Sequence, residues 1–305
     1  MTRRYHFVQA DVFTDRPFGG NQLAVFTDAR GLSDAEMQSL TREMNYSEST
    51  FVLPPDTPNA VKRVRIFTPA TELPMAGHPT VGTAFVLAQR GEIPLHGAMT
   101  EAVLQLGIGP VTVTIEAEDG APSFVWMTHR EARFGAVRDD RGRVAQALDI
   151  DGDDIRDDVP MQVVSTGLPF LFVPLRSLAA AGRCRSNVSA LGALFAGTQP
   201  EGVYVFTTET VSPRASVHGR MFAPHVLDIP EDPATGSAAA PLGAYLSRYG
   251  LLPDAPEARF VCEQGIEMYR PSQIHIEVHR EADRISGLRI GGQVVVVGEG
   301  DVFWD

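Results

Sequence analysis

The sequence predicts an α+β fold made of two similar lobes, each a mostly antiparallel sheet or barrel wrapped around a central apolar helix. Three observations lead to this prediction. Residues 65–90 and 220–249 follow one plan, in which a strand is followed by a polar loop and a helix rich in small residues. The first of these helices is apolar on almost every face, which is typical of a helix surrounded by protein. The length of 305 residues allows two domains of about 150 residues.

The two stretches align without a gap at a shift of 155 positions (220 − 65). Identical pairs include Arg65 with Arg220, Phe67 with Phe222, Pro69 with Pro224 and Thr80 with Thr235. The same shift pairs Gly77 with Asp232 and Val81 with Gly236. Because a repeat of whole supersecondary units indicates a duplicated architecture, the repeated order of elements is stronger evidence than the few identities.

Composition excludes several classes of protein. The net charge is −12 with a single lysine, Lys62, so no basic patch is available for nucleic acid. The hydrophobic fraction of 44% supplies two cores and argues against disorder. No run approaches the roughly 18 apolar residues of a membrane span, and the first residues contain no secretory signal. We therefore expect a cytoplasmic protein with no nucleic-acid or membrane partner, in which Cys184 and Cys262 are reduced thiols.

In the first lobe, alternating and β-branched patterns predict strands at residues 5–13, 23–26, 51–53 and 61–67. The stretch 15–21, DRPFGGN, has the composition of a turn. Ser33 and Glu36 form a capping box that opens a helix. The apolar face of that helix carries Met37, Leu40 and Met44. Glu48 follows in a polar segment, where a loop enters the next strand.

The central helix of the first lobe is expected to start at Pro79, because proline suits the first helical position. It runs to about Arg90, and Gly91 is a natural residue to follow the C-cap. His78 then lies at the helix N-terminus, beside unpaired backbone amides and the positive end of the helix dipole.

The central helix of the second lobe contains Pro241, which would break a helix interior. The proline is harmless if the helix starts near Ala238, since the first four helical amides have no partner. That start leaves the amides of Gly236, Ser237 and Ala238 pointing out of the helix. A carboxylate or an enolate could bind there.

The remaining strand patterns cover residues 103–115, 124–127, 162–173 and 202–207, and a charged surface segment of helix or loop covers 139–159. Residues 293–304 predict two short strands joined by Gly-Glu-Gly. We expect an N-terminal lobe of residues 1–120, to which the C-terminal strand at about 295–305 could return, and a C-terminal lobe of residues 121–294. Ligand sites favour domain interfaces, so the active site is expected in the cleft between the lobes.

Five polar residues near the two helix starts are candidates for chemistry: Asn21, Glu48, His78, Asp232 and Ser237. Each has an ordinary structural explanation. Glu48 could be a solvated loop carboxylate, and His78 or Ser237 could cap a helix. Asp232 could be an N-cap or turn residue. The repeat favours a functional explanation, because Gly77 and His78 in one half and Asp232 to Ser237 in the other fall in equivalent loops.

The sequence resembles the phenazine-biosynthesis isomerase family (PhzF-like), a branch of the diaminopimelate-epimerase-like fold. The matching pieces span nearly the whole chain and are DVFTDRPFGGNQLAVF, NYSESTFV, RIFTPATELPMAGHPTVGTA and MFAPHVLDIPEDPATGSAAAPLGAYL. The ordered pair GHPTVG and EDPATGSA is the specific part. One departure is Gln22, which stands where the family usually has proline after the GGN turn.

The resemblance implies that Glu48 is the general acid/base and that His78, Asp232 and Ser237 handle protons or hold substrate. It implies that Asn21 and the amides near Gly77 and Gly236 bind substrate, and that the protein is a homodimer. In the related epimerases two cysteines face each other across the cleft. The aligned loops of this chain carry Gly77 and Asp232 instead, so a mechanism with two thiols is not expected.

The chemistry agrees with an isomerase that moves a proton and a double bond on a small unsaturated carboxylate. A carboxyl group can take a proton and return it elsewhere if its pKa lies near the working pH, and burial raises that pKa. No nucleotide-binding loop and no metal-binding His pair is present, so we expect no cofactor and no metal. Two alternatives remain: a lyase or epimerase using the same proton abstraction, and a non-catalytic binder of small anions.

Overall fold

The structure is a computed structural model that describes residues 2–197, 200, 202–224, 229–253, 255–282 and 284–304. The chain forms two compact units. The first unit is Met1–Thr128 together with Gly291–Asp305, and the second unit is His129–Ile290. The first unit thus includes residues 121–128, which the sequence prediction places in the C-terminal lobe.

The elements up to residue 129 are β1 (Arg3–Val12), β2 (Asn21–Phe26), α1 (Asp34–Met44), β3 (Glu48–Leu53), β4 (Lys62–Phe67), β5 (Glu72–Leu73), α2 (Gly77–Gln89), β6 (Met99–Leu106), β7 (Gly109–Glu118) and β8 (Ala121–His129). The following elements are β9 (Arg133–Arg138), α3 (Arg141–Leu148), β10 (Met161–Ser165), β11 (Pro169–Pro174), α4 (Leu178–Arg183), α5 (Val188–Phe195), β12 (Gly202–Thr207), β13 (Val217–Ala223), β14 (Ile229–Asp232), α6 (Gly236–Arg248), β15 (Glu257–Gln264), β16 (Ser272–Glu281), β17 (Arg284–Gly292) and β18 (Val294–Trp304). Among the described helices, none is long and apolar enough to cross a membrane.

The first unit is a mostly antiparallel sheet around α2. β1 pairs antiparallel with β2 and β18, and β2 runs parallel to β3. β4 pairs antiparallel with β3 and β5 and parallel with β6, which continues antiparallel into β7. α2 packs against β1, β2, β3, β7 and β18, and all its residues from Gly77 to Ala88 are buried. A helix that is apolar on every face needs such an enclosure, as the sequence predicts.

The second unit repeats this order of strands. β10 pairs antiparallel with β11, and β11 runs parallel to β12. β13 pairs antiparallel with β12 and β14 and parallel with β15, which continues antiparallel into β16. α6 packs against β10, β11 and β16. The two units therefore contain the same supersecondary unit, which confirms the predicted α+β class.

The predicted ungapped alignment of the two halves is correct for the strands β4 and β13 but wrong for the helices α2 and α6. β4 and β13 begin 155 positions apart (217 − 62), but α2 and α6 begin 159 positions apart (236 − 77). The second unit therefore has four more residues (159 − 155) between the equivalent strand and helix. Gly77 corresponds to Gly236 and not to Asp232, and Asp232 corresponds to Leu73.

Two contacts that recur in both units establish the longer offset. Arg65 on β4 makes a bidentate salt bridge to Glu72 on β5. Arg220 on β13 makes the same bidentate salt bridge to Glu231 on β14. A Cβ atom built on Gly107 would lie 2.9 Å from Pro74 Cα, and one on Gly265 would lie 3.1 Å from Pro233 Cα. After the β13–β14 hairpin, residues of the second unit therefore align with the first unit at an offset of 159 positions instead of 155. Part of that hairpin, including Asp228 of the predicted polar loop, lies outside the described residues.

Both central helices start earlier than predicted. α2 begins at Gly77, so Pro79 is its third residue. α6 begins at Gly236, so Pro241 lies inside the helix. The amides of Ala238 and Ala239 both donate to the Thr235 carbonyl. The prediction that three amides point out of the helix is therefore wrong for Ala238. Only the amides of Gly236 and Ser237, the first two helical residues, remain as candidates.

The C-terminal prediction of two strands is also wrong, because residues 294–304 form the single strand β18. Gly298 and Gly300 lie within this strand and do not form a turn. They allow strand pairing and close contact with neighbouring side chains. A register shift in β1 opposite Gly298 marks a β-bulge, and a Cβ atom on Gly300 would lie 3.0 Å from the Phe7 ring. Conversely, the single strand predicted over 103–115 is split into β6 and β7. The capping box of Ser33 and Glu36 is confirmed.

Candidate active site

Glu48 is the first residue of β3 and is only 7% exposed. It aligns with Leu23 across the parallel β2–β3 pair, so its backbone is fixed by the sheet. Its Oε2 atom lies 3.4 Å from His78 Nε2. The interpretation of Glu48 as a solvated loop carboxylate is therefore wrong. A buried carboxyl group beside an imidazole is an arrangement suited to proton transfer.

His78 is the second residue of α2 and is 3% exposed. Its Nδ1 atom lies 3.1 Å from Asn21 Nδ2, while Asn21 Oδ1 accepts a bond from Ser47 Oγ. The Asn21 amide thus holds the imidazole ring in place through its Nδ1 side, and Nε2 is the ring nitrogen that faces Glu48. Burial lowers the pKa of His78 to about 3, with a backbone hydrogen bond to Gln22 acting weakly against it. The 3.4 Å contact with Glu48 therefore joins a carboxyl group to a neutral ring and is not an ion pair.

Asp232 is the last residue of β14 and is 4% exposed. Its Oδ2 atom accepts a 2.6 Å bond from Thr235 Oγ1. Thr235 is the N-cap of α6, so Asp232 is not the cap residue. Ser237 is the second residue of α6, and His78 is the second residue of α2, so neither is a cap. The structure thus gives His78 and Ser237 equivalent positions in the two units.

The structure brings Asn21, Glu48 and His78 together in the first unit, and Asp232, Gly236 and Ser237 lie within six residues of one another in the second. Gly77 and Gly236 are the first residues of their helices, where backbone amides are directed outward. That the two sets of residues meet in one cleft stays a prediction.

Sequence reasoning missed Thr235 and Gln264, which contact the Asp232 loop. Thr235 lies inside the DPATGS motif, so the motif could have indicated it. Gln264 is 29 positions further on (264 − 235), at the end of β15, and only the fold brings it close.

The two cysteines are fully buried, Cys184 after α4 and Cys262 on β15. Burial raises the pKa of each thiol to about 12, so neither is a ready thiolate. Among the residues that the structure describes, His, Cys, Asp and Glu form no group of three or more placed to share a metal ion.

Comparison with known proteins identifies the family. The family model described as phenazine biosynthesis-like protein matches residues 10–300. The chain belongs to this PhzC-PhzF family. An uncharacterized isomerase of Mesorhizobium japonicum is 37% identical, with 99% of each chain covered. The trans-2,3-dihydro-3-hydroxyanthranilate isomerase of Pseudomonas aeruginosa is 33% identical, with 98% of this chain and 99% of that one covered.

Solved structures agree. A PhzF family protein of Bacillus anthracis has a TM-score of 0.87 at 26% identity, with 98% of this chain and 99% of that chain covered. A hydroxyproline epimerase of Agrobacterium vitis has a TM-score of 0.70 at 14% identity, covering 99% and 92%, which shows the fold alone. The family, the diaminopimelate-epimerase-like fold and the isomerase class predicted from the sequence are thus confirmed.

Proposed function

We propose that the protein is a cofactor-independent isomerase that moves a proton and a double bond on a small unsaturated carboxylate, with Glu48 as the general acid/base. The observation that carries this proposal is the buried contact between Glu48 and a neutral His78, whose ring is held by Asn21. The name of the Pseudomonas aeruginosa relative supports the substrate class, because a dihydro-hydroxyanthranilate is a small unsaturated ring carboxylate.

In the proposed reaction, the Glu48 carboxylate removes a proton from one carbon and the electron pair moves through the double bond. The resulting Glu48 carboxylic acid returns the proton to a different carbon, which restores the carboxylate. The neutral state of His78 favours the action of Glu48 as a base. A protonated imidazole 3.4 Å away would stabilise the carboxylate and weaken it as a base, whereas a neutral ring leaves its basicity intact.

The other candidates have assigned roles in the proposal. Asp232 and Ser237 would handle protons or hold the substrate across a cleft between the two units. The amides of the helix starts at Gly77 and Gly236 would bind the substrate carboxylate, since helix N-termini favour anions. The proposal also includes a cytoplasmic homodimer, as the family resemblance implies, and light scattering would measure the molar mass of the assembly.

A lyase or an epimerase using the same proton abstraction is the second candidate. The buried thiols, whose pKa values are raised to about 12, disfavour an epimerase that relies on cysteines. Such an enzyme would have to use Glu48 and Asp232 instead. Product analysis separates the outcomes, because double-bond migration, loss of water and inversion of a stereocentre give different compounds. A non-catalytic anion binder would keep its affinity without Glu48.

The test is deuterium incorporation from D₂O, with trans-2,3-dihydro-3-hydroxyanthranilate as the first probe and a panel of small unsaturated carboxylates after it. Glu48→Gln should reduce turnover and exchange by at least about 10²–10⁴-fold. Glu43→Gln is the matched control, because Glu43 is exposed on α1 and should leave both unchanged. Exchange at the wild-type rate in Glu48→Gln would rule out the assignment.

A further inference from the structure

The carboxylate of Asp232 is held by a buried chain of four side chains in the second unit, which we call the Asp232 network: Asp232, Thr235, Gln264 and Tyr204. Thr235 Oγ1 donates to Asp232 Oδ2 at 2.6 Å. Gln264 Nε2 donates to Thr235 Oγ1 at 2.9 Å and to the Asp232 carbonyl at 2.7 Å. All four residues are at most 5% exposed.

Gln264 fixes the direction of every bond in this network. Its amide has two N–H donors and one oxygen with two lone pairs. The donors are used by Thr235 Oγ1 and the Asp232 carbonyl. The oxygen accepts from the Thr235 amide and from the Tyr204 hydroxyl, both at 3.1 Å. The amide is therefore fully used, and the opposite orientation would place N–H groups against the Thr235 amide.

These bonds determine which atom accepts the hydrogen bond from the Thr235 hydroxyl group. Since Gln264 donates to Thr235 Oγ1, the hydroxyl must give its own proton to Asp232 Oδ2. Oδ2 is thereby kept as an acceptor. Hydrogen bonds to a charged acceptor are among the stronger ones, and the 2.6 Å length agrees with that.

The repeated architecture shows that the fold itself does not require this network. In the register of the helices, Leu73 and Ala76 correspond to Asp232 and Thr235, and Ala76 and Thr235 are both N-caps. In the register of the strands, Leu106 corresponds to Gln264, because β6 pairs with β4 as β15 pairs with β13. The first unit therefore fills the same three positions with buried apolar side chains.

We propose that Thr235 and Gln264 are positioning residues that hold the Asp232 carboxyl group in one orientation, with Oδ2 as an acceptor, for its exchange of a proton with the substrate. The inference rests on the proposed function of Asp232 as a proton-handling residue. Neither residue need touch the substrate in this role. Their contribution is the orientation and the charge state of the Asp232 carboxyl group.

The experiment compares Thr235→Val, Thr235→Ser and Gln264→Leu with the wild type. Thr235 makes no side-chain capping bond within the described part of the chain, so valine removes the hydroxyl without removing a cap. Gln264→Leu introduces the residue type that the first unit carries at Leu106. With the probe on which the wild type is active, Thr235→Val and Gln264→Leu should lower kcat by about 10- to 100-fold with little change in KM. Thr235→Ser should restore most of it.

A readout that needs no turnover separates this inference from the proposed function. In protein labelled with ¹³C at the aspartate carboxyl, the titration midpoint of the Asp232 signal should move upward by about one pH unit in Thr235→Val and return in Thr235→Ser. An unchanged midpoint in Thr235→Val, or no rescue by serine, overturns the positioning role. If Glu48→Gln keeps wild-type exchange while the Asp232 midpoint still moves, the proposed function fails and the positioning role stands.

Discussion

Raising the pH should destabilise the second unit through His218, which is fully buried on β13. Its Nδ1 atom lies 3.0 Å from Glu263 Oε1, and its Nε2 atom lies 3.1 Å from Glu267 Oε1. Burial by itself would lower the pKa of His218, but the hydrogen bonds and charges of the two glutamates outweigh it and raise the pKa to about 9. Arg220 Nε lies 3.9 Å from Glu267 Oε2.

The sign and the magnitude follow from linkage. The pKa of histidine is about 6.5 in an unfolded chain, so the stabilising charge is fully present below pH 6.5 and is lost as the pH rises through about 9. A difference of about 2.5 pH units corresponds to roughly 3 kcal/mol in the free energy of unfolding. The pKa values of Glu263 and Glu267 are lowered despite burial, chiefly by their bonds to His218. Their contribution is lost in acid, as the pH falls below about 4.5.

The two cysteines give an assay confined to this unit. Cys184 and Cys262 are the only cysteines of the chain, and both are fully buried in the second unit. Their labelling rate with a thiol reagent, corrected by a model thiol at each pH, measures how often the unit opens. Between pH 6.5 and 10.5 the protection factor should fall by about 10²-fold in the wild type. In His218→Gln it should start lower and fall much less, and an equal fall in both proteins would refute the reasoning.

Two further predictions concern stability measured by urea denaturation, one at Gly219 and one that compares Arg220 with its equivalent Arg65. A Cβ atom on Gly219 would lie 2.6 Å from Tyr204 Cζ, so Gly219→Ala should cost about 1–3 kcal/mol, and adding Tyr204→Phe should recover part of it. Arg220 is 2% exposed and also donates to two backbone carbonyls, so Arg220→Met should cost about 3–5 kcal/mol by leaving Glu231 unpaired. The equivalent Arg65→Met should cost about 1 kcal/mol or less, because the partner carboxylates of Arg65 are exposed, and equal costs would contradict this account.

Local patterns in the sequence were sufficient where neighbouring residues decide the structure. Ser33 and Glu36 form a capping box whose bonds are made within four residues, and the structure contains it as predicted. The apolar character of α2 predicted its enclosure, since such a helix has no face to present to water. The positions of Glu48 and His78 in the sequence make both residues candidates, and the structure buries them beside each other.

The register of the repeat could not be obtained from an ungapped comparison. The extra residues fall in the β13–β14 hairpin, where added length costs little free energy. A signal was nevertheless present in the sequence, because both halves contain a glutamate, a proline and a glycine at the same spacing. These residues are Glu72, Pro74 and Gly77 in the first half and Glu231, Pro233 and Gly236 in the second. Gln264 gave no such signal, since only the pairing of β15 with β13 brings it to the Asp232 loop.

The corrected register also explains why the two acidic residues come from different halves. Glu48 pairs with Leu23 as Gly202 pairs with Phe170, so Gly202 is the equivalent of Glu48. A Cβ atom on Gly202 would lie 2.7 Å from the Phe222 carbonyl oxygen, which leaves no room for a glutamate there. Asp232 in turn corresponds to Leu73, which is buried in the first unit. The duplicated fold therefore supplies two equivalent helix starts, with His78 and Ser237 in matching positions. Each half also carries one acidic residue, Glu48 or Asp232, where the other half has a glycine or a buried leucine. A single base that both removes and returns the proton fits this asymmetry better than two equivalent bases.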